Sequence, residues 1–209
     1  MRIRPLAFLL AVLALASAAS SQRVAGGPDA ERKGSTVIVY SDSFQTLAAV
    51  SISYSQPTWQ DGYANQLESL KGTNYTRLGK GWWTSLDTVG LIEIGGTKLE
   101  AGSYYLGLRV DNDDKWSLLV FDSRQAMKDA LQPGTTALYT GEKKPIVSMP
   151  LTFTRDASKD VVAKMEIEIT ADQKAPSNGR FSIRWGKHEL SAKVVFHLAE
   201  PKSETAEKK

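Results

Sequence analysis

Residues 161–170 read VVAKMEIEIT, and their order decides the fold class. Val161, Ala163, Met165, Ile167 and Ile169 alternate with Val162, Lys164, Glu166, Glu168 and Thr170. Successive strand side chains point to opposite faces, so this period of two predicts a strand with one core face and one wet face. The same pattern recurs in both directions along the chain. Phe181, Ile183 and Trp185 alternate with Ser182 and Arg184. Leu190, Ala192, Val194, Phe196 and Leu198 are expected inward, with Ser191, Lys193 and His197 outward. Val147, Met149, Leu151 and Phe153 alternate with Ser148 and Thr152, and Ala48, Val50, Ile52 and Tyr54 with Ser51, Ser53 and Ser55. Such clean alternation belongs to antiparallel sheets with a solvated face rather than to buried parallel ones.

Turn signals fall between the strands. Gly95-Gly96 separates Leu91–Ile94 from Thr97–Leu99, as a tight primed hairpin requires. Ala101-Gly102 re-aims the chain into Tyr104–Val110, and Asp111 to Lys115 breaks it before Trp116–Phe121. Ser123 can cap a short helix over RQAMKDAL that Pro133-Gly134 would end. Nine or ten strands and at most two short helices are expected. The fold class is therefore all-β, an antiparallel β-sandwich with the jelly roll among its candidate forms. No repeat of solenoid or propeller period is visible.

The ends of the chain differ from its middle. Arg2 and Arg4, the apolar run from Pro5 to Ala16 and the small residues Ser17-Ala18-Ala19 make the pattern of a secretory signal peptide over residues 1–19. The run is shorter than the roughly 20 residues that a membrane span needs. Export to the periplasm or the extracellular space is the expectation. Residues 20–34 read as a flexible lead-in, 35–199 as one domain and 200–209 as a disordered polar tail. The chain has no cysteine, so packing and hydrogen bonding alone must hold the fold. The formal charge of +3 falls to +1 once Arg2 and Arg4 leave. With no basic cluster interleaved with aromatics, a nucleic-acid partner is not expected.

Tyr54-Ser55-Gln56-Pro57, then Gly81-Trp82-Trp83-Thr84, IEIGGTKLEAGSYYLGL (92–108) and WSLLVFD (116–122) carry a resemblance to a family of secreted bacterial proteins, domain of unknown function 2911. The matching positions are Tyr54, Ser55, Pro57, Trp83, Gly96, Leu99, Ala101, Gly102, Tyr104, Trp116 and Asp122. The chain departs from the family's pattern at two places. Asp61-Gly62-Tyr63 lacks the arginine usual after the Tyr-Ser-x-Pro element, and Thr84-Ser85-Leu86-Asp87 replaces Arg-Thr-Gly-Ala. The resemblance implies export and the fold; it implies no chemistry, because the family has no established activity.

The parts for catalysis are few. No Gly-x-Ser-x-Gly elbow and no Ser-x-x-Lys occurs, and His188 and His197 are the only histidines. In an extended segment those two would lie on opposite faces, roughly 30 Å apart, which suits no shared metal. Asp111, Asp113 and Asp114 lack the distal Glu and central Gly of a calcium loop and read as a charged turn. Glu68, Asp61 and Asp87 are the conceivable carboxylates of a glycoside hydrolase, whose separation only a structure gives. No metal and no cofactor is expected.

The most suggestive segment is the 25-residue connection from Trp59 to Trp83. Connections beyond about 12–15 residues are usually functional or carry structure of their own. Trp59, Tyr63, Tyr75, Trp82 and Trp83 lie in it among Asn65, Gln66, Asn74 and Arg77. Aromatic faces beside amides and an arginine suit stacking on a sugar ring, so Trp59, Tyr63, Tyr75, Arg77 and Trp82 are the candidate ligand-binding residues. The rival reading is core packing, with Tyr63, Leu67 and Leu70 forming one helical turn over an open end. The expected function is an exported, non-catalytic module of the cell envelope that binds a glycan or an envelope protein or serves structurally. A carbohydrate-binding module is the first alternative and a glycoside hydrolase the second.

Overall fold

In the computed structural model, residues 32–41 and 44–200 are described, the side chains of residues 64–66 apart. The expected signal segment, most of the lead-in and the tail beyond Glu200 lie outside them. Twelve strands and three short helices follow in chain order. They are β1 (Lys33–Tyr40), β2 (Thr46–Tyr54), α1 (Tyr63–Ser69), β3 (Thr76–Arg77), β4 (Thr84–Thr88), β5 (Ile92–Ile94), β6 (Thr97–Leu99), β7 (Gly102–Val110) and β8 (Trp116–Asp122), then α2 (Ser123–Lys128), α3 (Thr136–Tyr139), β9 (Val147–Thr154), β10 (Val162–Ala171), β11 (Asn178–Gly186) and β12 (His188–Phe196). The fold is all-β and antiparallel, as the alternation requires. None of the described helices is long and apolar enough to cross a membrane.

The strands form one sheet in the order β1-β2-β4-β7-β8-β9-β12-β11-β10, which doubles over into two layers. β9 joins the layers: its first half pairs with β8, from Val147–Val120 to Leu151–Trp116, and its last residues pair with β12. The β5–β6 hairpin crosses over and continues along β12, Ile94 opposite Val194. Gly95 and Gly96 both have positive φ, 59° and 78°, which is the primed turn their sequence predicted. Gly95 is doubly constrained, since a Cβ there would stand 2.4 Å from the Pro150 carbonyl.

The two outer strands nearly close the sheet on itself. Ser35 Oγ donates to the Ile169 carbonyl at 3.1 Å and accepts from the Ile169 N–H at 3.0 Å, clasping β1 to β10. The other end of β10 is covered by the segment after β2: Trp59 N–H donates to Ala163 at 2.7 Å and Met165 N–H to Pro57 at 3.1 Å. Cover at both ends of β10 limits its pairing with another chain.

Between the layers lies the main core, with Ile52, Leu86, Leu106, Leu118, Met149, Ile167, Phe181, Val194 and Phe196 fully buried. Ile167 and Phe196 thus face inward as read from the sequence. A second core sits on the outer face of β7 and β8, built from Tyr75, Trp83, Tyr105, Leu119, Phe121, Ala126, Leu131 and Leu138. These two strands are buried on both faces, which explains their unbroken apolar runs. Gly107 admits the Tyr75 ring, whose edge would stand 2.5 Å from an added Cβ.

Several details depart from the sequence reading. Val161 and Ala163 are exposed rather than inward, because a bulge between Val162 and Glu166 shifts the register against β11. Ser182 and Ser191, expected outward, are buried opposite each other, flanked by the Arg180–Glu189 and Arg184–Glu168 ion pairs. β1 begins at Lys33, inside the expected lead-in. β1, β3 and β4 add to the nine strands that alternation and turn signals together identify. β4 escaped notice because its inward residues include Thr84 and Thr88, whose hydroxyls donate to Leu78 and Gly90 carbonyls. The cap of α2 is Asp122, which accepts from Gln125 N–H at 2.7 Å, whereas Ser123 donates to the Ser103 carbonyl. The helix ends before Pro133: Ala130 takes φ 52° and Leu131 N–H reaches back to the Ala126 carbonyl, a Schellman closure. α3 is a third helix, beyond the two expected.

Candidate functional site

The Trp59–Trp83 connection carries structure of its own, and that structure roofs one end of the double layer. After bridging to β10, the chain turns into α1, whose Leu67 and Leu70 point down over the core, and then adds β3 to the edge of β7. Beneath α1 lies an apolar cavity of about 90 Å³ between the layers. Leu108, Met165, Ile183 and Leu190 line it with Trp59, Trp116, Phe153, Trp185 and His188. A second, more open cavity of about 400 Å³ adjoins it and shares Leu67, Leu70, Arg77 and Trp185. Tyr63, Thr73, Tyr75 and Tyr139 are among its other lining residues.

Aromatic edges and faces build the inner end. Trp59 meets Trp185 edge-on at 5.1 Å, Tyr63 at 5.9 Å and His188 at 5.7 Å, and Trp116 lies 5.4 Å from Phe153. Gly186 makes this possible. With φ 63° and no side chain, it lets the Trp59 ring lie where a Cβ would stand only 2.7 Å away. Trp185 Nε1 donates to the Pro57 carbonyl at 3.1 Å and ties the two tryptophan segments together.

Four buried side-chain polar atoms lack a hydrogen-bond partner among the described residues, and three belong to these walls: Tyr75 Oη, Trp116 Nε1 and His188 Nδ1. Native structures leave few such atoms unpaired, so their concentration is informative. Burial pushes the Tyr75 phenol well above its ordinary value and keeps it a neutral hydroxyl. Burial also lowers His188, against the opposing pull of Asp156, so the imidazole is neutral near neutral pH. Arg77, exposed on β3 at the junction of the cavities, pairs with no carboxylate among the described residues. Glu189 is the one acidic residue in either wall, and Arg180 holds its carboxylate.

Of the five candidate residues, the structure brings four together. Trp59, Tyr63, Tyr75 and Arg77 surround the paired cavities. Trp82 sits apart, 52% exposed beside a polar cleft of about 360 Å³ lined by Arg32, Ser85, Asp87 and Ser103. Arg32 is pinned there by donating to the Ser53 and Trp83 carbonyls at 2.7 and 2.9 Å. Trp83 is buried, stacked on Tyr105 at 5.1 Å with Nε1 donating to the Leu131 carbonyl. Trp116, Phe153 and Trp185 were missed as site residues because they read only as strand residues, and His188 because it was weighed only for catalysis and metal binding. The Trp185-Gly186 pair was the one available signal, a glycine ending an aromatic strand.

The remaining candidates lie elsewhere. Glu68 projects from α1 to Lys71 at 2.7 Å and Arg155 at 3.1 Å, and hydrogen bonds from both hold its carboxyl below the usual range. A general acid needs the opposite shift. Asp61 is exposed before α1, and Asp87 lies in the Trp82 cleft. Asp111 Oδ1 accepts from the N–H groups of Asp113 and Lys115, both at 2.9 Å, and so shapes the β7–β8 turn. His197 contacts Glu93 at 2.9 Å, away from His188 in the cavity wall. No group of three or more metal-ligating residues occurs among the described residues. Comparisons of the chain with family models, with curated proteins and with solved structures give no match.

Proposed function

We propose that this protein is an exported, non-catalytic binding module of the cell envelope, which holds a small ligand in the paired cavities beneath α1. The observation that carries the reading is the set of three unpartnered buried polar atoms, Tyr75 Oη, Trp116 Nε1 and His188 Nδ1, in the mostly apolar walls of the two cavities. A site of this kind, mostly apolar with a few convergent polar groups, is the usual form of a small-molecule pocket. The basic head and apolar run of residues 1–19, with the resemblance to secreted proteins at Trp83 and Gly96–Tyr104, support export.

The test is a small-molecule screen by thermal stability and tryptophan fluorescence, since Trp59, Trp116 and Trp185 line the wall. A ligand at one hundred times its Kd adds about 2.7 kcal/mol of stability. Leu70→Trp, which fills the space beneath α1, should abolish that gain. A gain that survives Leu70→Trp would refute the site. Mass spectrometry of protein from its own host tests export, and an intact Met1 on a cytoplasmic species would overturn it.

A second reading rests on the exposure of Trp82. Its ring beside Ser85, Asp87 and Ser103 suits a sugar stacked on the aromatic face with hydroxyls bonded at its edge. Trp82→Ala should then remove glycan-array binding without lowering the melting temperature.

A further inference from the structure

We infer that the ligand of the paired cavities is a short-chain aliphatic carboxylate, its hydrocarbon end in the inner cavity and its carboxylate at the junction beside Arg77. This rests on the cavities being the binding site, and three features of their walls narrow the ligand's chemistry.

The first is the sign of the polar groups. Trp116 Nε1 can only donate, Arg77 can only donate, and the Tyr75 hydroxyl has a proton to offer. Trp116 is 5% exposed and Tyr75 is 1% exposed, so neither finds its partner in bulk water. Two of the three orphaned atoms thus call for an acceptor, and neutral His188 Nδ1 meets a donor or an acceptor according to its tautomer, so a ligand rich in acceptors suits the set best. A carboxylate brings two oxygens with about four lone-pair sites, the largest supply in the smallest group.

The second is charge. Arg77 is a cation with no counter-ion among the described residues, and the only carboxylate in the walls is already held by Arg180. An anionic ligand neutralises Arg77 and takes the bidentate geometry that a guanidinium favours. A cationic ligand would meet Arg77 with nothing to offset it.

The third is size. An engineered cavity of roughly 150 Å³ accepts a benzene ring. The inner cavity here has about 90 Å³, lined by Leu108, Met165, Ile183 and Leu190. On that scale it accepts about three to five carbon atoms and excludes a whole aromatic ring or a long acyl chain. Butanoate and 3-methylbutanoate have this shape, an apolar end of the right volume one bond from an anionic head.

The experiment is calorimetric titration of the full chain with 3-methylbutanoate, its neutral isostere 3-methylbutanamide and the apolar alcohol 3-methylbutanol. The acid should bind at least tenfold more tightly than the amide, because charge-assisted hydrogen bonds are worth about one to two decades in affinity. Arg77→Gln, a change at an exposed position, should erase that preference by weakening acid binding far more than amide binding. Trp116→Phe keeps the apolar wall, removes the donor and should weaken acid binding several-fold. Amide or alcohol binding as tight as the acid's would overturn the carboxylate assignment and leave the cavity a binding site. Binding of none of the three would overturn the carboxylate assignment alone, since the screen with Leu70→Trp decides the reading beneath it.

Discussion

Ala130 shows how one residue's backbone conformation ties a surface helix to the core. It occupies φ 52°, a left-handed conformation that an L-residue adopts at a cost of roughly 1–2 kcal/mol. That turn delivers Leu131, whose carbonyl receives Trp83 Nε1. Ala130→Gly should therefore stabilise the protein by about 0.5–1 kcal/mol in chemical denaturation, since glycine adopts this conformation without strain but loses more chain entropy. A loss of stability would show that Ala130 makes contacts that outweigh its strain. His188 supplies a pH dependence at the same scale. Burial sets its folded pKa below the ordinary 6.5, so between the two values the unfolded chain binds more protons. Its contribution is complete above pH 6.5 and is lost as the pH falls through that window. His188→Gln should flatten the stability profile there, and equal slopes in both proteins would refute the assignment.

Among the elements, the meeting of β1 and β10 depends on a side chain rather than on a ladder. Ser35→Ala removes both hydrogen bonds to Ile169 and should cost about 1–2 kcal/mol. Amide exchange at Ile169 should quicken, whereas Ile167, deeper in the same strand, keeps its protection. Unchanged exchange at Ile169 would mean that the edges are held by packing alone. The strands most legible in the sequence were those with one wet face, such as β2 and β10, where the period of two is uninterrupted. β7 and β8 were legible as strands but not as doubly buried ones, because the cover on their outer face comes from α2, α3 and the Tyr75 and Trp83 side chains, whose docking leaves no mark on the strands' own period. β3, two residues long, has no period to read. The bulge in β10 was invisible for a different cause: Val161 and Ala163 keep the alternation in sequence, and only pairing with Gly186 and the Thr58 bridge reveals the slip.

For the whole molecule, the second core bears on how it unfolds. Trp83→Ala should cost about 3–5 kcal/mol, whereas Trp82→Ala, one residue earlier and half exposed, should cost under about 0.5. A single transition in both variants would show the two cores melting together through the shared strands β7 and β8; two transitions would show the outer one opening first. The site was only partly legible for the same architectural reason. Trp59, Tyr63 and Arg77 stand in one suspicious segment, but Trp116, Trp185 and His188 reach the cavity from strands of the main core, and nothing local marks them. The clasp of Ser35 on Ile169 has one more consequence, and it concerns time. The two residues are 134 positions apart, so the seam cannot form until nearly the whole chain exists. All-β topologies dominated by such distant pairings fold on the order of milliseconds to seconds, because the entropy of closing the long loop must be met before any contact rewards it. A chain emerging with its N-terminus first holds β1 without β10 throughout that interval. Its hazard of aggregation lies in this delay, during which the strand edge that the finished fold conceals stays open to neighbours.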